Sequence, residues 1–347
     1  MKTLSVLGLA AALPLAAQGF LDSPSFGGSK VFSEGVHSLG NPARYDRCLP
    51  GYYLSFQDGD LKAKGSAAAL EEVARGTDPA SALAALDAAP WASRTTGYGL
   101  VLTQAGLHGS VSREQWNGLA AAVDRDPAHL GANLGLNRTS ADVIRADVDR
   151  VVLGAGSAEG SSGYGFAVRI ERWSFGRRTA ALNPAVGQDS LAKAPALLDV
   201  SDTPSTSTDV NLNGGYVMAL GQGLRFGLLG DHLIPKTVAG LDLKGQVRAG
   251  FQLDLGSSAQ VSVEGDLNEA IRLPVALPQK SLSASLRLAF GPALGLTLGA
   301  EKRTLGGAST TTAGATVFWK LPALSVGFGF RFSDDAPLKS LLVRVNS

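Results

Sequence analysis

The feature that most constrains this chain is a period of two. Between residues 243 and 255, Leu243, Val247, Ala249, Phe251, Leu253 and Leu255 share one parity, and Lys244, Gln246, Arg248, Gln252 and Asp254 share the other. Successive side chains of a strand point to opposite faces, so this segment is a strand with one apolar and one polar face. A helix would scatter Lys244, Arg248 and Asp254 around its circumference. The alternation recurs over 258–268, 281–290, 294–301 and 324–332; in the last, Leu324, Val326, Phe328, Phe330 and Phe332 oppose Ser325, Gly327, Gly329 and Arg331. Segments of about 9–11 residues have the length of a strand tilted across a bilayer.

The connections sharpen this reading. Short turns are expected at 221–223, 256–258, 291–293 and 321–323, and they alternate with longer links at 232–242, 269–280, 303–308 and 333–339. Transmembrane barrels sort their loops in this way, whereas a soluble sandwich has no reason to. Further strands are expected at 50–57, 96–104, 129–137, 141–154, 163–175, 208–220 and 224–231, for a total of about fourteen. The expected fold class is therefore all-β: a transmembrane antiparallel β-barrel over residues 50–347. Two small helical insertions are expected, near 66–89 and near 112–125. In the second, Ser112 is placed as an N-cap with Gln115 at the capping-box position, and Trp116, Leu119, Ala120 and Val123 form one helical face. Residues 176–207 read as a long polar loop. Tyr52, Tyr98, Tyr164, Trp173, Tyr216, Phe318, Trp319 and Phe332 are candidates for the aromatic girdles that flank a membrane-spanning wall.

Composition removes several functions. In 347 residues, 31 Lys and Arg face 30 Asp and Glu, a net charge of +1 with no basic stripe, so no nucleic-acid partner is expected. The single cysteine, Cys48, excludes an intrachain disulfide framework. The four histidines have no metal-ligand spacing, and no GxSxG surrounds a serine, so neither a metal, a cofactor nor an enzymatic activity is expected. Residues 1–19 read as a signal peptide: Lys2, an apolar run from Leu4 to Leu15, then Ala16, Ala17 and Gly19, with cleavage expected after Gly19. The expected destination is the cell outer membrane.

The polar parity of the strands defines a set of lumen-lining candidates: Arg145, Asp147, Asp149, Arg169, Glu171, Lys244, Arg248, Glu264, Asp266, Arg287, Glu301 and Arg331. Barrel interiors carry charge routinely, so paired carboxylates such as Glu264 and Asp266 do not by themselves imply acid–base catalysis. The set reads either as a hydrogen-bonded ladder that stabilises a narrow barrel, or as a polar track for a ligand or for docking of an internal segment.

The segment 27–43, GGSKVFSEGVHSLGNPA, resembles the plug segment of FadL-like outer-membrane proteins, which ends in Asn-Pro-Ala, here Asn41-Pro42-Ala43. LLGDHLIPK at 228–236, VSVEGDLNEA at 261–270 and LGLTLGAEKR at 294–303 are similar to hairpins of the TraF-type and PorV-type branches of that superfamily. A departure is Glu34-Gly35-Val36-His37-Ser38, where the family has small residues and Asp. The resemblance implies that residues 20–49 form an N-terminal plug. It implies outer-membrane lipid and the barrel-assembly machinery as partners. It also implies passive uptake of hydrophobic small molecules through a plugged barrel; the alternative is a non-transport barrel with a conjugation, secretion or surface-assembly protein as partner.

Overall fold

Alternating strands can bury their backbone polar groups in a membrane only by closing on themselves, and this chain does so. A computed structural model describes residues 29–32, 40–47, 50–59, 90–122, 126–129, 131–136, 138, 140–159, 162–181, 205–238, 241–271, 278–291, 293–305, 308–332 and 338–346. In chain order the strands are β1 (Gly51–Gly59), β2 (Pro90–Gln104), β3 (Leu107–Ala122), β4 (Ser140–Glu159), β5 (Ser162–Ala181), β6 (Ser205–Gly221) and β7 (Leu224–Asp231). Two short strands, β8 (Lys236–Val238) and β9 (Leu241–Leu243), form a separate ribbon. Then come β10 (Gln246–Leu255), β11 (Ala259–Asp266), the two-residue β12 (Ala270–Ile271), β13 (Pro278–Phe290), β14 (Leu294–Leu305), β15 (Ala308–Lys320), β16 (Leu324–Phe332) and β17 (Leu338–Asn346). Each wall strand pairs antiparallel with its neighbours. β17 returns to β1, and β11 pairs with β13, so a ring of fourteen strands has no free edge.

The pleat sorts the residues as the period of two requires. In β10, Gln246, Arg248 and Gln252 are buried while Phe251, Leu253 and Leu255 are exposed on the outer face. In β16, Arg331 is buried while Phe328, Phe330 and Phe332 are exposed. The apolar face points outward because its solvent is lipid. At one end of the barrel the hairpins are tight. Ala105-Gly106 and Gln222-Gly223 both take positive φ at the two central positions, the turn geometry that matches strand twist in a two-residue hairpin. At the other end most links are longer, and one carries the β8–β9 ribbon; the exception is the link expected at 303–308, which the pairing of Leu305 with Ala308 narrows to two residues.

Three expectations need correction. Residues 112–122, read as a helix, belong to β3; the remainder of that insertion lies outside the described residues. His108, Ser110, Ser112 and Glu114 face inward there, and Leu107, Val111 and Arg113 face outward. Ladders to β2 and β4 outweigh a local capping-box pattern. Residues 129–137, read as a strand, contain two short 3-10 turns, Pro127–His129 and Gly131–Leu136. Pro127 cannot donate to a ladder, and Asp126 caps the first turn through its Oδ1 to the Ala128 N–H and its carbonyl to the His129 N–H, both at 2.9 Å. The polar loop expected at 176–207 begins later, since β5 runs to Ala181, and ends earlier, since β6 starts at Ser205. The signal peptide, the helical insertion at 66–89 and most of 20–49 lie outside the described residues.

Candidate functional site

The lumen holds two stretches of the N-terminal segment, each seated differently. The first, residues 29–32, is fastened by charge. Glu264 of β11 accepts from Ser29 Oγ at 2.8 Å, and from the backbone N–H groups of Lys30 and Val31 at 3.0 Å each. Ser29 Oγ also accepts from the Phe32 N–H at 2.9 Å, which turns the segment back on itself. Behind Glu264, Arg248 of β10 donates to its Oε1 at 2.7 Å and to Asp266 Oδ1 at 2.8 Å. Arg248 also reaches the Ser281 hydroxyl, and the Ser281 N–H and Oγ donate to Asp266 Oδ2 at 2.7 and 2.9 Å. Three adjacent strands therefore share one satisfied polar network, and its free face carries residues 29–32.

The second stretch, Asn41-Pro42-Ala43 and the 3-10 turn Pro42–Arg47, is seated by shape. Asn41 Nδ2 donates to the carbonyls of Val31 and Leu228 at 2.9 Å, and Asn41 Oδ1 accepts from the Ala43 N–H at 3.0 Å. One side chain thus ties both stretches of the segment to β7. Pro42 and Tyr45 lie against wall glycines. A Cβ on Gly156 or Gly165 would overlap the Pro42 carbonyl, one on Gly215 would overlap Asn41 Oδ1, and one on Gly154 would overlap the Tyr45 ring. Val31, Phe32, Ala43, Val217 and Leu229 pack as one buried apolar cluster, and Tyr45, Val152 and Ala167 as another. Tyr45 stacks on His108 with ring centroids 4.1 Å apart. The half-buried Lys30 ammonium is pushed down to about 8 by burial first and by the Arg248 charge second.

Toward the long-loop end lies a second buried network. Arg150 Nε donates to Glu171 Oε1 at 2.5 Å and its Nη1 lies 3.4 Å from Glu114. Trp173 Nε1 donates to Glu171 Oε2 at 3.3 Å, so this tryptophan faces the lumen and is no part of an outer girdle. Arg169 approaches Glu171 at 3.5 Å and Asp231 at 3.1 Å. Such networks add little net stability over apolar packing, but breaking one leaves a buried charge alone.

Of the residues singled out in the sequence, Arg169 and Glu171 lie in this upper network, and Arg248, Glu264 and Asp266 in the plug-docking one. Glu301 is 1% exposed and receives both of its hydrogen bonds from Arg303, at 2.8 Å. Arg331 is buried, and Arg287 lies over the Phe318 ring at 5.3 Å. Three assignments change. Lys244 is exposed between β9 and β10, outside the wall. In β4 the inward residues are Ala146, Val148, Arg150 and Val152. Asp149 is exposed on the outer face, 3.7 Å from Arg113, and strand parity puts Asp147 on that face too; the side chain of Arg145 lies outside the described residues. The physical reason is length. β4 and β5 have 20 residues each, about twice what a tilted strand needs to cross a bilayer. Their far halves are wet on both faces, so a charge there no longer marks the lumen. Sequence reasoning missed Arg150 for the same reason, Glu114 because its segment was read as a helix, and His232 because it sits in a link of no regular period; Asp209 shares the inward parity of Asn211 and Asn213 in β6, the signal that could have found it.

The chain matches no family model, and no curated protein matches it in sequence. Solved structures share its fold. The Pseudomonas putida toluene transporter TodX aligns over 94% of this chain and 96% of its own, with a TM-score of 0.52 and 12% identity. A TodX mutant lacking S2 and S3, a monoaromatic hydrocarbon channel, aligns over 95% and 99% with a TM-score of 0.54 and 11% identity. At such identities the likeness is one of fold. It agrees with the FadL-like layout, and nothing in it singles out the TraF-type or PorV-type branch.

Proposed function

We propose that this protein is an outer-membrane barrel through which hydrophobic small molecules pass passively, with the N-terminal segment as a removable plug. The observation that carries the reading is how the segment is attached. Residues 29–32 hang on one wall carboxylate, and residues 41–45 rest on wall glycines, so the closure is held by polar contacts and fit and can be released without opening the barrel. The fold shared with a toluene transporter supports the solute class. A charged lumen is a poor path for a greasy solute along its whole length. A concavity of about 680 Å³ against the continuously paired wall at β1–β5 is where such a solute would rest beside the barrel. It is lined from the outer face by Tyr52, Tyr98, Val111 and Ile170, and from the lumen face by Tyr53 and Ser112.

The test is toluene uptake by cells carrying the protein, with outer-membrane fractionation and a heat-modifiability gel on the same cells. The expected result is a boiling-dependent shift in the outer-membrane fraction, uptake above that of vector-only cells, and faster uptake with Glu264→Ala. Uptake equal to the vector control in both proteins, with the barrel folded in the outer membrane, rules out passage of this solute class.

A further inference from the structure

Above the plug, β5, β6 and the turn that follows β7 converge on one buried point. We propose that Glu171, Asp209 and His232 form a binding site for a divalent transition-metal ion, with Zn²⁺ the ion that best suits them. The inference concerns this cluster alone and does not depend on what passes through the barrel.

Geometry comes first. One ligand atom from each residue lies within 4.8 Å of the others, with His232 Nε2 3.0 Å from Asp209 Oδ2 and 4.0 Å from Glu171 Oε2, so a small inward movement brings all three to about 2.0–2.2 Å from one ion. The residues are 1%, 0% and 6% exposed. One imidazole nitrogen with two carboxylate oxygens is a borderline donor set. It suits Zn²⁺ better than the all-oxygen ions, and it leaves a fourth position open.

The second observation is Asp209 itself. Among the described residues, this fully buried carboxylate has no hydrogen-bond donor on either oxygen, and its Oδ2 lies 3.0 Å from His232 Nε2. A buried carboxylate without a donor is costly unless a cation faces it. Charge points the same way. Among the described residues, Arg150 and Arg169 meet Glu114, Glu171 and Asp231, and Asp209 meets the His232 ring, so this network holds more carboxylates than guanidinium groups.

The histidine is also held in place for the role. His232 takes a left-handed backbone, φ 53°, although it is not glycine. Its N–H donates to Asn213 Oδ1 at 3.2 Å, and Asn211 clamps Ile234 through both its N–H and its carbonyl, at 3.0 and 2.9 Å. Two asparagines of β6 therefore maintain a strained turn that aims an imidazole into the lumen. Asp231 Oδ1 lies 3.4 Å from His232 Nδ1, where it can accept the Nδ1 proton and leave the Nε2 lone pair for an ion. That is the usual outer-shell support of a metal-binding histidine. Arg169 is the competitor: its guanidinium meets both ring nitrogens, with Nη2 2.7 Å from Nε2. A guanidinium offers no acceptor, so it satisfies at most one nitrogen of a neutral imidazole. Its Nη1 is already 3.1 Å from Asp231, so ion entry requires only that Arg169 settle on that carboxylate.

The experiment uses the full chain, untagged, purified in detergent and stripped with a chelator. Zn²⁺ is titrated by calorimetry, and Co²⁺ is followed by its visible absorption. One Zn²⁺ per chain is expected, with a Co²⁺ band that Zn²⁺ displaces. Asp209→Asn and His232→Ala should each weaken binding at least ~10-fold, the lower end of what even outer-shell changes do to metal sites. Arg169→Gln should tighten it. Heat-modifiability checks that each variant is folded. Absent binding in the wild type, equal binding in folded Asp209→Asn, or a preference for Ca²⁺ over Zn²⁺ overturns the site. Should both ligand variants fail to fold, the wild type and Arg169→Gln decide it: no Co²⁺ band in either overturns the proposal.

Discussion

Glu264 accepts hydrogen bonds from the Lys30 and Val31 amides at 3.0 Å each, while Arg248 donates to the same carboxylate from behind at 2.7 Å. A single wall residue thus neutralises a lumen guanidinium and anchors the plug. Glu264→Ala removes the acceptor for two amides and the Ser29 hydroxyl, and leaves Arg248 with Asp266 alone. Removing one partner of a buried pair costs about 3–5 kcal/mol. Part of this should fall on the docked plug, because Arg248 keeps a second carboxylate. Amide exchange at Lys30 and Val31 should accelerate by orders of magnitude while exchange in β10 and β11 changes little. Glu264→Gln, which keeps one carbonyl acceptor, should fall between. Unchanged exchange at Val31 would show that the apolar cluster alone holds the segment.

The wall glycines make a separate prediction. Gly156 and Gly215 have no positive φ, so alanine suits the strand backbone at both, and the nearest atoms a Cβ would meet belong to residues 41–45. Gly156→Ala and Gly215→Ala should leave the boiling-dependent gel shift intact while residues 41–43 become open to protease. Gly109→Ala, whose new Cβ would meet nothing nearer than 3.7 Å, is the control and should change neither readout.

These two sites differ in how far the sequence disclosed them. The second half of the barrel was legible because each residue of β10, β11, β13, β14 and β16 meets only one of two solvents, lipid or lumen, and its polarity records which. In β4 the rule weakens. Past Val151 the outer face meets water, so Asp149 and Arg150 are both charged on opposite faces, and polarity no longer gives the register. Asn41-Pro42-Ala43 was legible as a motif, but its seat was not. Gly156, Gly165 and Gly215 look like ordinary strand glycines in a glycine-rich chain, and only the folded wall lines them up beneath Pro42 and Asn41. Asp209 follows the inward parity of Asn211 and Asn213 in β6, but His232 carries no spacing signal, since a turn of irregular backbone aims it at that carboxylate.

Lys30 gives the plug a pH dependence of definite sign. Its ammonium has an ordinary value of 10.5 and is pushed down to about 8 in the docked state, by burial first and Arg248 second. The docked plug therefore binds fewer protons than the released one between those values, and raising the pH across that window favours docking. Spontaneous openings of single channels in planar bilayers should become rarer from pH 8 upward and level off above 10.5. Lys30→Met should abolish the trend. Openings that grow more frequent over the same range would reverse the assignment.

Phe251 tests which face meets lipid. It is 52% exposed, and its ring lies 5.3 Å from Phe226 on the neighbouring strand, an aromatic pair on the outer surface. An arginine near the bilayer midplane of a barrel wall costs about 2–4 kcal/mol. Phe251→Arg should lower the stability of the barrel in lipid vesicles by that order, measured by denaturant unfolding. Gln252→Ala, one residue on and facing the lumen, should cost no more than about 1 kcal/mol, since its partner Arg225 keeps Asp254.

Adjacent residues of β4 provide the sharpest check on its register. Asp149 is an exposed partner of Arg113, with side chains 55% and 50% exposed and 3.7 Å apart, and such pairs contribute about 0–1 kcal/mol. Arg150 is 3% exposed and is the shared counter-charge of Glu114 and Glu171. Arg150→Ala takes the guanidinium from buried Glu114 and leaves Glu171 with Arg169 and Trp173, which should cost about 3–5 kcal/mol. Asp149→Ala should leave the unfolding midpoint in vesicles nearly unmoved. The alternation of charges in β4 would by itself put Asp149 inside and Arg150 outside, and that register predicts the reverse order. If Asp149→Ala proves the more damaging of the two, β4 is displaced by one residue, and with it the inward placement of Arg150 against Glu171.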